Sequence, residues 1–430
     1  MELEKRFLKI TSTSGSGDYT YQNNRTVEFQ ISGVGKAILP ELRLVGNIQV
    51  RNAGANVTMA NEINLNANCG LSAVIRSLRI RSLGLSAKII EEIQDYPRLC
   101  AMVNCMLHGK DDFDNELSHT EYSRGYGVSS VNNLNNANHL GSNPTAPAVG
   151  KNAYDVAQRK ALISDGSFAL RLTAGMLMSN NVDLQEIQGL SISIDLNDPK
   201  DVFWGSDSAN VTYTLTNLKL MVPVVDDRQP PNPNPSFNFL SFVSTKKNLT
   251  STSQTTSDSL NLTGILGLTT NYLPLGYSNN SAKDGQALYN PCLKQIQYLL
   301  DGQRFPLNTP MTTKYNTAVQ PPAQLHQSSE VLRNALSSLK PYKNYSKSGV
   351  GVDTNSWKAN EQGWGSFITG CSFDQVSGLG VNLNNASFQV ESQQELRTPD
   401  GTEAINYKAY NYYLTRQQVD IVNNTVEVSV

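Results

Sequence analysis

Short β-type runs, cut at close intervals by Gly, Asn, Pro and Ser, restrict the fold of this chain more than any other feature. Thr26-Val-Glu-Phe-Gln-Ile31 alternates apolar and polar residues with period two, the pattern of a half-buried strand. Residues 41–50 do the same with a slip at Gly46, which predicts a bulge or bend there. Residues 74–81 set Ile and Leu against Arg and Ser, and 167–172, 190–194 and 210–222 continue the series. Many short strands separated by turn residues build sandwiches or barrels. Helical spacing is confined to two stretches. Residues 97–107 carry apolar side chains at that spacing, with Pro97 early, where helices tolerate it. Residues 328–339 open on a Ser cap and stop before Pro341. The expectation is an all-β chain with one short helix in each half.

The halves meet at Val224-Val-Asp-Asp-Arg-Gln-Pro-Pro-Asn-Pro-Asn-Pro-Ser-Phe237. Prolines at 230, 231, 233 and 235 remove backbone donors and hold the chain extended, so this segment cannot be a central strand. It reads as a short, stiff tether. The sequences on either side echo one another. Gly166-Ser-Phe168 is matched by Gly365-Ser-Phe367, Leu190-Ser-Ile-Ser-Ile194 by Ala386-Ser-Phe-Gln-Val390, and Asn210-Val-Thr-Tyr213 by Asn406-Tyr-Lys-Ala-Tyr410. A common offset of about 200 residues, kept in order, points to a duplicated β-domain. The expected organisation is an N-terminal arm at 1–25, a first domain at 26–225 with a long loop insert at about 109–160, a linker at 226–237 and a second domain at 238–430. A smaller loop spans 342–363.

Composition narrows the function. Charged residues are only 17% and the formal net charge is −2, so there is no basic field to hold nucleic acid and no sequence-specific nucleic-acid binding is expected. Asn, Ser, Thr and Gln fill the surface instead, which suits extensive packing against other protein. Residues 1–10 lack the apolar core of a signal peptide, and no window approaches the ~18 apolar residues of a membrane span. Leu3, Phe7, Leu8 and Ile10 fall on one side of a helical turn, which reads either as a docking arm or as a frayed terminus. Five widely spaced cysteines without a CxxC fit reduced thiols.

Chemistry is hard to find. Asp112, Asp114 and Glu116 start like a calcium loop, but Leu117 stands where the turn glycine belongs and Ser123 where the bidentate Glu belongs. A solvated acidic loop is the favoured reading. His108, His119, His139 and His326 have no ligand-spaced neighbours, and no GxSxG elbow or phosphate-binding loop appears. Gly349/Gly351 and Gly378/Gly380 lack the rest of a dinucleotide motif. Tyrosines at 407, 410, 412 and 413 could stack bases, but packing between sheets or subunits is the favoured reading. Glu91, Glu92, Asp111 and Asp114 supply carboxylates for a β-sandwich glycosidase, without a spacing that sets any pair across a cleft. No catalytic, cofactor-binding or metal residue is therefore assigned.

Three stretches carry a family resemblance. Arg76-Ser-Leu-Arg-Ile-Arg-Ser-Leu-Gly84 followed by Ile90-Glu-Glu-Ile-Gln-Asp-Tyr-Pro97 is similar to a strand, a glycine turn and an "E-x-I-x-x-Y" lead into a helix. Residues 211–220 resemble a last strand, and Ile296-Gln-Tyr-Leu-Leu-Asp-Gly-Gln-Arg-Phe-Pro306 resembles an "n-G-x-x-F/Y-P" turn. Together they resemble the double jelly-roll major capsid proteins, and within them the polinton-like virus and virophage branch of the lineage that includes tectiviruses, adenoviruses and large DNA viruses. The resemblance implies two tandem jelly-roll β-sandwiches with long loops. It also implies a homotrimer forming a pseudo-hexameric capsomer of an icosahedral virion, assembled inside the host cell without a signal peptide. Penton and minor or cement capsid proteins would be partners, an internal membrane would be reached through the N-terminal arm, and no cofactor is implied. The alternatives are a two-domain glycan-binding lectin or adhesin, and a vertex or minor capsid protein.

Overall fold

Alternation in the sequence becomes one-sided strands. Along Arg43–Asn52, Leu44, Ile48 and Val50 are buried, while Arg43, Asn47 and Arg51 lie on the opposite, more open face. The structure, a computed structural model, describes residues 5–15, 17–33, 35–57, 63, 65, 69–84, 87–107, 120–121, 165–179, 181–203, 208–226, 232, 234–258, 260–276, 288–305, 309–313, 315–316, 323–324, 328–339, 367–373, 380–384, 387–398, 403–422 and 425–429. It divides into two units. The first is Met1–Cys100, Phe113–Ser241 and Gln417–Ser429; the second is Ala101–Asp112, Phe242–Arg416 and Val430.

In the first half the strands are β1 (Lys5–Thr11), β2 (Thr26–Ile31), β3 (Lys36–Ile38), β4 (Arg43–Asn52), β5 (Ala55–Asn56), β6 (Ile75–Ser82) and β7 (Ile89–Ile93). Helix α1 (Tyr96–Leu107) comes next, then β8 (Asp165–Arg171), the short α2 (Gly175–Ser179), β9 (Asn181–Asp183), β10 (Leu190–Leu196), α3 (Pro199–Val202) and β11 (Val211–Val225). One sheet runs β1-β11-β4-β8, with β3 on the end of β11, β9 on β3 and β5 on β4. The other runs β2-β10-β6-β7. All pairings are antiparallel, so the chain passes back and forth between two sheets that share a core. Tyr213 of β11 reaches across it, its hydroxyl donating to the Asn197 carbonyl at 2.6 Å and its ring 6.0 Å from Phe203.

The second half repeats this plan. Its strands are β12 (Ser236–Leu249), β13 (Ser253–Ser257), β14 (Ile265–Pro274), β15 (Leu293–Leu300), β16 (Gln303–Phe305), β17 (Met311–Thr312), β18 (Tyr315–Asn316) and β19 (Ala323–Gln324). After α4 (Ser328–Ser338) come β20 (Ile368–Ser372), β21 (Phe388–Gln394), β22 (Tyr407–Val422) and β23 (Thr425–Ser429). The sheets run β12-β22-β14-β20 and β13-β21-β15-β16. Strand for strand this matches β1-β11-β4-β8 and β2-β10-β6-β7, with α1 and α4 at equivalent points of the chain. The described residues of the three echoed pairs lie in or just before β8/β20, β10/β21 and β11/β22, while Gly365, Ser366 and Ala386 lie outside the described residues. The chain is therefore all-β with two tandem jelly-roll sandwiches, and β11 and β12, on either side of the proline segment, lie in different sheets. An aromatic run fills the second core: Phe305 stacks on Phe373 at 5.7 Å, Phe373 meets Phe388 edge-on at 5.4 Å, and Phe388 meets Tyr413 edge-on at 6.2 Å. Each such ring contributes on the order of 2 kcal/mol by leaving water.

Two sequence expectations need correction. The irregularity expected at Gly46 lies on the partner strand. Asn47 pairs with Thr216 and Val45 with Lys219, so Asn217 and Leu218 together oppose Gly46, with Asn217 at φ 54°. Gly46 is required because a Cβ there would lie 2.7 Å from the Leu218 side chain and 3.0 Å from the Thr216 carbonyl. Second, Phe7, Leu8 and Ile10 do not share a helical face. Lys5–Thr11 is a strand in register with Lys219–Val225, and Phe7 points away from Leu8 and Ile10.

The turn at Asp301-Gly302 joins β15 to β16 with both residues at positive φ, 51° and 75°. This two-residue geometry matches the right-handed twist of the strands, and Asp-Gly is a sequence that adopts it readily.

Candidate functional site

The sequence offered four carboxylates for catalysis, and the structure separates those it describes. Glu91 and Glu92 are adjacent on β7, so their side chains leave opposite faces of the sheet. Glu92 lies near the surface and accepts from Arg79 Nη2 at 2.9 Å; that hydrogen bond holds its carboxyl below the usual range. Glu91 is 3% exposed. Its Oε1 accepts from Gly175 N at 2.9 Å and from Ser241 Oγ at 2.6 Å, and its Oε2 accepts from Met176 N at 3.0 Å. Burial raises its pKa, and the three donors oppose that rise only in part. A carboxylate with every oxygen engaged and no route to solvent cannot serve as acid or base for a substrate. It fastens β7, the start of α2 and the first half of β12 to one another. Five residues on, Tyr96 accepts from Thr173 N at 2.6 Å. The "E-x-I-x-x-Y" stretch is thus a pair of buried anchors for the segment that leads into α2.

Asp111, Asp112, Asp114, Glu116, His108, His119, His139 and His326 lie outside the described residues. Among the described residues no group of three or more His, Cys, Asp or Glu is placed to hold a metal ion. Cys69, Cys100, Cys292 and Cys371 are free and buried, and burial pushes the Cys100 thiol up to about 12, which makes it a packing residue.

Sequence reasoning missed the second polar anchor. Asp258 Oδ2 accepts from Thr245 Oγ1 at 2.8 Å, Asn411 Nδ2 at 2.8 Å and Tyr413 OH at 2.7 Å, and Oδ1 lies 3.0 Å from Lys247 Nζ. Burial alone would raise its pKa; hydrogen bonds led by Tyr413 and Lys247 outweigh it and lower the pKa. The tyrosine run is likewise structural. Tyr407, Tyr410, Tyr412 and Tyr413 are all at most 6% exposed, which leaves no face for a stacked base. Tyr407 OH donates to the Arg397 carbonyl at 2.7 Å. A shallow cleft lined by Leu249, Tyr272, Leu293, Ala409 and Asn411 opens beside this strand, but Asn411 is already committed to Asp258 and to Thr270.

What remains open to a partner is strand edge and surface. Phe7, Ile89 and Val422 are the large apolar side chains that stand most exposed among the described residues, Phe7 at 54%. No described helix is long and apolar enough to cross a membrane. The described residues thus form two sandwiches held by buried polar pins at Glu91 and Asp258.

No family model and no curated protein matches the sequence. Solved structures do match, along the whole chain. PBCV-1 VP54, fitted as a crystal structure into a reconstruction of the virophage Sputnik, superposes with a TM-score of 0.60 at 11% identity, covering 100% of this chain and 97% of that one. The Sputnik virophage structure solved by cryo-EM gives 0.59 at 11% identity, covering 100% and 89%. The mavirus major capsid protein gives 0.54 at 13% identity, covering 99% and 90%. At such identities the likeness is one of fold, and the fold it identifies is the double jelly roll.

Proposed function

We propose that this chain is a viral major capsid protein, a building block of the virion shell with no catalytic role. One observation carries the reading: both sandwiches, in tandem and in the same strand order, superpose over nearly their full length on the PBCV-1, Sputnik and mavirus proteins. A lone β-sandwich is shared by many functions, and fold alone is weak evidence of role. A tandem pair matched end to end is far more restrictive. Three copies, each contributing two rolls, form a pseudo-hexameric capsomer that tiles an icosahedral lattice. Duplication lets a threefold object fill a sixfold position. Penton and minor shell proteins, and a membrane approached by the N-terminal segment, are the further partners of this role.

The test is mass in solution followed by imaging. A trimer of roughly three chain masses, with a six-lobed outline and obligate interfaces of the order of 2,000 Å² or more, is expected. A monomer at all concentrations, or one that binds glycan, would overturn the assignment.

A further inference from the structure

The carboxylate of Asp258 joins two side chains that can react with each other. Thr245 and Lys247 follow at period two along β12, and both reach Asp258, which comes directly after β13 in the other sheet of this half. Lys247 Nζ lies 3.0 Å from Asp258 Oδ1. On the second oxygen, Asn411 Nδ2 donates to Oδ2 at 2.8 Å. Asn411 stands on β22, the neighbour of β12, and its own Oδ1 accepts from Thr270 Oγ1 at 2.8 Å. Thr270 is its cross-strand partner on β14. An amine, a carboxylate and a carboxamide therefore form one chain of contacts, with a hydroxyl on the amide oxygen. The Asp258 side chain is 5% exposed and Asn411 3%, whereas Lys247 keeps a third of its side chain in water.

A side-chain amide resists an amine in water for three reasons: the amine is protonated, the carbonyl is unpolarised, and the amide nitrogen leaves badly. This cluster answers each of them. We propose that Lys247 Nζ attacks Asn411 Cγ and forms an amide between the two side chains, tying β12 to β22, with Asp258 carrying protons between them. The Nζ–Cγ bond forms and the Cγ–Nδ2 bond breaks. Nζ sheds two protons and both end on the departing nitrogen, which leaves as ammonium, so neither oxidant nor co-reactant is needed. Asp258 touches both the nitrogen that gives protons and the one that takes them, which is the placement a relay requires. Thr270 faces the oxygen on which negative charge develops. Asp258 rests ionised, since Tyr413 and Lys247 lower its pKa, so the first proton comes from the Lys247 ammonium itself. The neutral pair is then a scarce species, and the bond forms slowly, once, in the folded chain that holds the partners together.

This inference is independent of the capsid reading. The full chain is purified, incubated folded, and its intact mass is measured in denaturant. Wild type should be lighter than its sequence mass by one ammonia. Trypsin should then fail to cut after Lys247 and should release a branched peptide in which Lys247–Lys283 is joined to Ala409–Arg416. On a denaturing gel the linked chain, with 248–410 closed into a loop, should run ahead of an unlinked one. Lys247→Arg keeps the positive charge beside Asp258 but removes the amine nucleophile, and it should have its full sequence mass and no branched peptide. Asn411→Ala should do the same. Asp258→Asn leaves both reacting groups in place and should also stay unlinked, with circular dichroism checking that each variant is folded. Wild type that keeps its full mass after prolonged incubation overturns the proposal, and that result needs no variant to fold. Loss of ammonia without the branched peptide, as a succinimide at an Asn would give, overturns it too. A branched peptide that persists in folded Asp258→Asn would strike out the relay.

Discussion

Replacing Glu91 by Ala tests whether the first half owes its cohesion to a buried carboxylate. The side chain accepts from Gly175 N, Met176 N and Ser241 Oγ at 2.9, 3.0 and 2.6 Å, and all of it is shielded from water. Truncation orphans two backbone donors that cannot turn elsewhere, at about 1–3 kcal/mol each, while the Ser241 hydroxyl can rotate to another acceptor. Relief of a buried charge returns part of this, leaving a net loss of about 2–4 kcal/mol. In a unit of this size that is roughly 5–15 °C of melting temperature. The pH dependence adds a signature. Burial holds the Glu91 pKa above its unfolded value, so folding takes up a proton at this site. Its stabilising contribution is full below the unfolded pKa and fades as pH rises through the folded one. Differential scanning calorimetry of wild type and Glu91→Ala across pH 4 to 8 should therefore show a gap that is widest in acid. A gap below about 1 kcal/mol, or one that widens with pH, would refute the latch. A catalytic Glu91 would behave otherwise, since its removal would abolish an activity and leave melting unchanged.

Further outcomes follow from the same geometry. Gly175→Ala would set a methyl group 1.6 Å from the Leu240 carbonyl oxygen, so it should lose more than about 3 kcal/mol by chemical denaturation, or fail to fold. Gly54→Ala meets nothing within 4 Å, although φ is +81°, and should cost only about 1 kcal/mol. Asp258→Asn replaces one of two accepting oxygens by a donor and removes the charge facing Lys247, and should destabilise the second half by about 2–3 kcal/mol at pH 7. Because the Asp258 pKa is lowered in the fold, its contribution is present above the unfolded pKa and is lost as pH falls through the folded one. The variant and wild type should thus converge in strong acid, opposite to Glu91→Ala. Glu186→Ala removes the acceptor for Asn232 N at 2.7 Å and should raise hydrogen exchange in the proline segment, with little change in melting.

The parts of this fold that were legible in the sequence are those governed by local period. Residues 26–31 and 190–194 alternate because one face of each is buried, and both are strands that pair with each other in the structure, Leu190 opposite Ile31. Residues 97–107 have helical spacing and lie within α1. The duplication was visible because the echoed residues that are described lie in or just before strands at equivalent places in the two sheet orders. What escaped was set by pairing across long separations. Gly46 looked like a bulge because it interrupts an alternation, yet the extra residue lies on β11, some 170 positions away. The N-terminal segment has apolar residues at 7, 8 and 10, which fit a helical turn as well as a strand; only its pairing with residues 219–225 decides. Glu91 and Asp258 look like surface carboxylates until their partners at 175, 176, 241, 245, 411 and 413 arrive. One clue to Glu91 was present: it is in phase with Ile93, which is 3% exposed, and sits opposite Ile80, which is fully buried. A carboxylate in phase with a buried face is either a site or a pin, and the count of donors around it decides which. Three donors with no space for a substrate make Glu91 a pin.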